Sequence, residues 1–148
     1  VVEIAREPGW YAKGGIADTV PGRFDAITLV LSLVLLRMER GPELAQPAAF
    51  LTEFFIEDMD GQLRESGIGD IVVGKHIGRL MSVLGGRLGA LREALAESDD
   101  AALVAAIERN ASFIENGSPA AVAREVRVLA GQLEELTDFE LLAGRIER

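Results

Sequence analysis

The sequence predicts an all-α fold, a single-domain bundle of about six helices with an irregular N-terminal arm. Three observations predict it. Apolar residues recur at helical steps, most plainly at Ile77, Leu80, Leu84, Leu88, Leu91 and Leu95, spaced 3, 4, 4, 3 and 4. Helix-start and helix-stop residues punctuate the chain at short intervals, as at Gly67, Asn116-Gly117, Ser118-Pro119 and Thr137. At 148 residues the chain has the length of one domain, enough to bury about 68 to 70% of the surface its unfolded form exposes.

The arm, residues 1–21, carries Pro8, Gly9, Gly14, Gly15 and Pro21, too dense a punctuation for a long helix. Trp10 and Tyr11, the single Trp and Tyr of the chain, are read as anchors of this arm on the helical body, with a partner-facing role as the other reading. A first helix is expected from about Arg23 to Arg40, with Asp25 in its first turn and Arg37 and Arg40 near its end suiting the dipole. Its middle is apolar all round, which places it at the centre of the fold.

The second helix begins at Pro42 or Pro47. An interior Pro47 costs about 3 kcal/mol, so a start near Pro47 is preferred, with an end near Ser66 and Gly67 as a left-handed cap. The third spans about Val73 to Glu97. Its Gly78, Gly85, Gly86 and Gly89 each cost about 0.5 to 1 kcal/mol against Ala, which points to close approach of another backbone or to a kink. Ser98, Asp99 and Asp100 open a fourth helix to about Glu115, and Ser118-Pro119 opens a fifth to about Leu136. Thr137 and Glu140 form a capping box for a short sixth. The chain therefore divides into the arm, core helices over 22–117 and C-terminal helices over 118–148, with short turns joining antiparallel neighbours.

Composition narrows the chemistry. There is no cysteine, which excludes disulfides, thiolate nucleophiles and cysteine-ligated zinc. The single histidine, His76, would have to serve any nucleophilic triad, and no orienting partner is identifiable; it is read as a surface residue. The net charge of −9 works against a nonspecific hold on nucleic acid or on an anionic membrane. The longest apolar run, Ala26 to Leu36, is 11 residues, whereas a bilayer span needs about 20. No secretory signal is visible at Val1, and the matches Asn110-Ala111-Ser112 and Asn116-Gly117-Ser118 to the glycosylation pattern are read as chance. Thirteen Arg against 2 Lys, with many Ala and Gly, suggest a GC-rich bacterial genome, and the absence of cysteine is compatible with a reducing compartment, so a cytoplasmic place is expected.

The densest acidic stretch is FFIEDMDGQLRESGIGDIVVGK, Phe54 to Lys75. A calcium loop starting at Asp58 needs Gly at its sixth position and Glu at its twelfth; Leu63 and Gly69 stand there instead. Asp58 and Asp60 are two apart, about 200° around a helix, so they cannot converge on one atom. By the same count Ala48, Leu51, Phe55, Met59 and Gln62 share one face, and Glu53, Glu57, Asp60 and Arg64 roughly the opposite one. Asp60 and Arg64 form an i, i+4 pair. Asp58 falls at the edge of the apolar face and is expected to be partly buried, with the Gly67–Asp70 turn, Lys75 or Arg23 as its partner. No catalytic site, metal site or cofactor follows from these residues.

Three strings in this order, ARxPxWY at Ala5–Tyr11, ADTVPGRFD at Ala17–Asp25 and the block Glu53–Lys75, resemble the ubiquinol-cytochrome c chaperone family. GGRLGAL at Gly85–Leu91 is similar to its next block, and LLAGRI at Leu141–Ile146 more weakly to its end. The family's motif positions fall on Asp18, Gly22, Arg23, Phe24, Asp25, Asp58, Asp60, Arg64, Glu65, Gly67, Gly69, Asp70 and Lys75. The chain departs from the family's pattern at Leu29-Val30-Leu31, Leu84-Gly85 and Leu91, and the resemblance implies a helical segment upstream of residue 1.

The resemblance implies a non-enzymatic assembly factor whose client is cytochrome b or another component of the cytochrome bc complex. A second assembly factor, proximity to the membrane through the client, and a mitochondrial place in a eukaryote belong to the same expectation. The residues themselves suggest a groove bordered by Trp10, Tyr11, Phe50 and Phe54 for an apolar client, Phe50 and Phe54 forming a second aromatic stripe on the second helix. Two other classes stand beside it: a carboxylate-based metal or catalytic site using Asp58, Glu65 or Asp70, and an oligomer docked through the glycine face of the third helix.

Overall fold

The structure, a computed structural model, describes the chain apart from residues 66 and 68 and the side chains of residues 63 and 70–73. Among the described residues seven α-helices follow one another: α1 (Val2–Ala5), α2 (Val20–Met38), α3 (Ala45–Glu65), α4 (Asp70–Ala96), α5 (Ala101–Asn110), α6 (Pro119–Glu135) and α7 (Asp138–Leu142). A π-helical turn, Gly9–Lys13, separates α1 from α2, and a 3-10 turn, Pro42–Leu44, leads into α3. Among the described residues the single extended pairing is an isolated bridge between Ile16 and Phe113. The all-α expectation holds. None of the helices is long and apolar enough to cross a membrane, among the described residues.

As its all-round apolar sequence requires, α2 is the central element. Ala26, Val30, Leu31 and Leu33 are all but inaccessible, and α2 packs on α1, α4 and α6 and more lightly on α3. It starts at Val20, ahead of the expected Arg23, because Thr19 caps it: the Thr19 hydroxyl accepts from the Gly22 amide at 3.2 Å and Pro21 occupies the first turn. Asp25 consequently lies in the second turn and is buried, so its carboxylate serves a tertiary ion pair and not the helix dipole.

Both prolines act as start signals, Pro42 opening the 3-10 turn ahead of α3 and Pro47 standing third in α3, where its missing N–H has no intrahelical acceptor to lose. Gly67 takes the left-handed conformation expected of it, φ 80°. Helix α4 begins at Asp70, three residues before the expected start.

The glycines of α4 correct an expectation: a Cβ added at Gly78, Gly85, Gly86 or Gly89 would meet nothing within 4 Å, so no backbone approaches them. Helix α5 is also shorter than expected, and Asp100 takes its N-cap position in place of Ser98. It stops at Asn110 because Ala111 turns extended, φ −133° and ψ 146°, to bring Ser112 and Phe113 against the arm. The starts of α6 and α7 follow the sequence. Ser118 accepts from the Ala121 amide at 3.2 Å, and Thr137 and Glu140 complete both halves of a capping box.

Two devices hold the arm. Trp10 is 1% exposed and donates its indole N–H to the Ile4 carbonyl at 2.8 Å, while Tyr11 donates its hydroxyl to the Ala5 carbonyl at 2.8 Å. The following residues then zip onto the α5–α6 connection: Ala17 N–H to Ser112 O at 2.8 Å, Ile114 N–H to Gly15 O at 2.9 Å, and Ser118 N–H to Gly14 O at 2.8 Å. Contact at Gly15 (φ 74°) is so close that a Cβ there would stand 2.4 Å from the Gly117 Cα.

Candidate functional site

An open groove of about 1030 Å³ lies between the arm, the start of α2, the end of α3 and the start of α4. Its apolar lining comes from Phe24 and Ile27 of α2, Met59 of α3 and Leu80 of α4. Each is set there by helical phase. Phe24 and Ile27 lie one turn apart on α2, and Met59 belongs to the inward face of α3 that also carries the buried Phe55. The Phe24 and Phe55 rings stand 6.4 Å apart, tilted by 30°, so the groove lining is continuous with the core. Val20, 82% exposed, lies at the groove's edge.

Polar groups surround this apolar strip: Arg6 and Tyr11 from the arm, Gln62 from α3, His76 from α4, and the pair Asp18 and Arg23. Arg23 donates its Nε–H to Asp18 Oδ1 at 2.7 Å, and that hydrogen bond raises the guanidinium's pKa, reinforced by the carboxylate's charge. Tyr11's pKa is also raised, first by burial and then by the negative charge of Asp18, against the opposing pull of Arg23 and Arg6. A groove with apolar lining and hydrogen-bonding edges can bury an apolar surface and orient it. Among the described residues, no three His, Asp or Glu side chains gather to hold a metal.

Behind Phe24 lies a buried polar network. Asp25 Oδ1 accepts from Arg87 Nη2 at 2.6 Å, and Asp25 Oδ2 accepts from both the backbone N–H and the hydroxyl of Ser112 at 2.8 Å. Arg87 Nη1 also donates to the Thr28 hydroxyl, which in turn donates to the Phe24 carbonyl at 3.0 Å. The Arg87 guanidinium stands 5.6 Å from the centre of the Phe24 ring. One carboxylate thus ties α2, α4 and the segment after α5 together, directly beneath a groove residue.

The residues singled out from the sequence separate into distinct places. Tyr11, Asp18 and Arg23 line the groove. Trp10 is interior and does not border it. Phe50 and Phe54 are exposed on α3 and are not among the residues lining the groove. Asp58, expected to be partly buried, is exposed, and none of its expected partners bonds to it among the described residues; its position at the edge of the apolar face leaves it pointing past the core. Asp60 and Arg64 pair at 2.9 Å as their spacing dictates. Glu65 and Lys75 are exposed, Gly67 ends α3, and Gly69 is the extended N-cap of α4, φ −72° and ψ 158°. The side chain of Asp70 lies outside the described residues.

Sequence reasoning missed Arg6, Ile27 and Leu80 as groove residues, and Arg87 and Ser112 as partners of Asp25. Arg87 carried a signal: four residues before Leu91 and three after Leu84, it falls within the apolar stripe of α4, where an unpaired charge is costly. Arg37 carried none. It is buried and donates to the Leu133 and Leu136 carbonyls at 3.0 and 2.7 Å and to Asp138 at 2.9 Å, joining α2 to the end of α6 and the start of α7.

The sequence model described as ubiquinol-cytochrome C chaperone matches residues 12–147. The crystal structure of the Cbp3 homolog from Brucella abortus is similar, with a TM-score of 0.83 and 35% identity, covering 99% of this chain and 82% of that one. No curated protein sequence matches.

Proposed function

The chain belongs to the ubiquinol-cytochrome c chaperone family, and on that premise we propose that it holds an apolar segment of newly made cytochrome b in the groove between the arm, α2, α3 and α4. One observation carries this reading. The groove presents Phe24, Ile27, Met59 and Leu80 to the outside, at the place where the residues between Asp18 and Arg23 turn from arm to helix. A membrane-protein client exposes apolar surface until it is inserted and assembled, and an apolar strip with polar edges covers such surface reversibly. The groove's Arg6, Arg23, Gln62 and Tyr11 supply hydrogen bonds to the client's polar groups.

The protein acts as an assembly factor of the cytochrome bc complex, working beside the membrane through its client, with a second assembly factor as a further partner. It carries out no bond-breaking chemistry in this role. Binding of detergent-solubilised cytochrome b segments to the full chain tests the proposal. Val20→Glu and Met59→Glu, placed at the edge and in the lining, are expected to weaken binding roughly tenfold or more, as loss of a central apolar contact does. Phe54→Ala should leave it unchanged. Equal binding by all three folded variants would remove the groove from consideration.

A further inference from the structure

We propose that the outer face of α3 is a second binding surface, separate from the groove, for a cationic amphipathic helix of a partner protein. At about 100° per residue, the Phe50–Phe54 strip is centred about 140° around α3 from Phe55 and Met59. They are one turn apart and 50% and 65% exposed, so two aromatic rings share one strip of surface. An exposed apolar strip rimmed by charge marks an interaction surface.

The charge of that rim identifies the occupant. Glu53, Glu57, Asp58 and Glu65 are all exposed, and none pairs with a cation among the described residues. The helix holds five carboxylates, these four and Asp60, against one guanidinium, Arg64, which bonds Asp60 at 2.9 Å. Three carboxylates without a cation, Glu53, Glu57 and Asp58, each within about one turn of the two exposed rings, complement a helix with apolar residues one turn apart and Lys or Arg on its flanks. Arg on such a helix gains further by standing over a Phe ring. A second copy apposing the same acidic face, or an anionic bilayer, meets like charge instead.

The surface is independent of the groove reading, because Met59, which lines the groove, stands about 140° or more around the helix from Phe50 and Phe54. The test uses the full chain and a labelled helical peptide of about 18 residues, with Leu at i, i+4 and Lys on both flanks, against its Lys-to-Glu counterpart at about 150 mM salt. The Lys peptide is expected to bind saturably and one to one, and to slow amide exchange over residues 50–58 of the unaltered protein. Phe50→Ser with Phe54→Ser, which changes no charge, lowers the affinity roughly tenfold or more. Glu53→Lys with Glu57→Lys transfers preference to the Glu peptide. Unchanged affinity in the Phe variant would reduce the binding to bulk attraction for an acidic protein and overturn the proposal. So would equal binding of the Glu peptide, exchange protection elsewhere, or sedimentation as a dimer that the Phe variant abolishes.

Discussion

Arg87 of α4 reaches Asp25 of α2 across a gap of 2.6 Å, with only 11% and 8% of their side chains exposed. Such a pair is costly to assemble and far costlier to half-dismantle, because removing one partner leaves a charge stranded in the interior. Asp25→Ala strands Arg87 and frees the Ser112 amide and hydroxyl as well. It is expected to cost about 3 to 5 kcal/mol in urea unfolding. Asp25→Leu combined with Arg87→Met should recover most of that loss; if the double variant is no more stable than Asp25→Ala, the pair is not what the site depends on.

Glycines on two sides of the same fold should respond in opposite directions. At Gly22 a Cβ would stand 1.8 Å from the Ala17 carbonyl oxygen, so Gly22→Ala forces the arm away from α2 and costs about 1 to 3 kcal/mol or more. At Gly85 and Gly89 an added Cβ has open space, and Ala gains its helix propensity, about 0.5 to 1 kcal/mol each. Thermal unfolding of the three variants reads both signs.

Tyr11 gives an alkaline signature. Its raised pKa, caused first by burial and then by Asp18, means that above pH 10.0 the unfolded chain loses the phenolic proton while the folded chain still holds it. The unfolded state then binds fewer protons, so stability falls as pH rises from there to the folded pKa. Tyr11→Phe is expected to flatten this part of the profile. As the chain has one Tyr, the phenolate absorbance band follows the titration directly.

Glu140 gives an acid one. The Thr137 backbone N–H at 2.9 Å, and then the Thr137 hydroxyl at 2.8 Å, hold its pKa below 4.5. The contribution is present above that value and is lost as pH falls through the folded pKa. Amide protection factors in α7, which correct for the intrinsic pH dependence of exchange, should therefore fall on acidification before those in α2 do. Glu140→Ala should show the lowered protection already at neutral pH, with no further loss of it on acidification.

Features decided within a few residues were legible in the sequence. The capping box at Thr137, the left-handed Gly67, the Ser118-Pro119 start and the Asp60–Arg64 pair each depend on neighbours within four positions. Asp58 was misplaced because helical phase assigns a residue to an edge without saying how far the facing element extends. The groove's outline was legible only in part: Tyr11, Asp18 and Arg23 lie in motifs, whereas Leu80 joins them through the packing of α4 on α2. The glycines of α4 misled for a related reason. Sequence records their helix penalty, but whether a neighbour fills the space is a property of the assembled bundle.

The zipped arm sets an order of events during synthesis. Its residues 14–17 bond residues 112–118, roughly a hundred positions later, and Arg148 bonds Glu7 at 2.8 Å. As the polypeptide leaves the ribosome, α2, α3 and α4 emerge long before the segment that fastens their N-terminal wall. The arm that walls the groove is therefore left unfastened until residues 112–118 have been made.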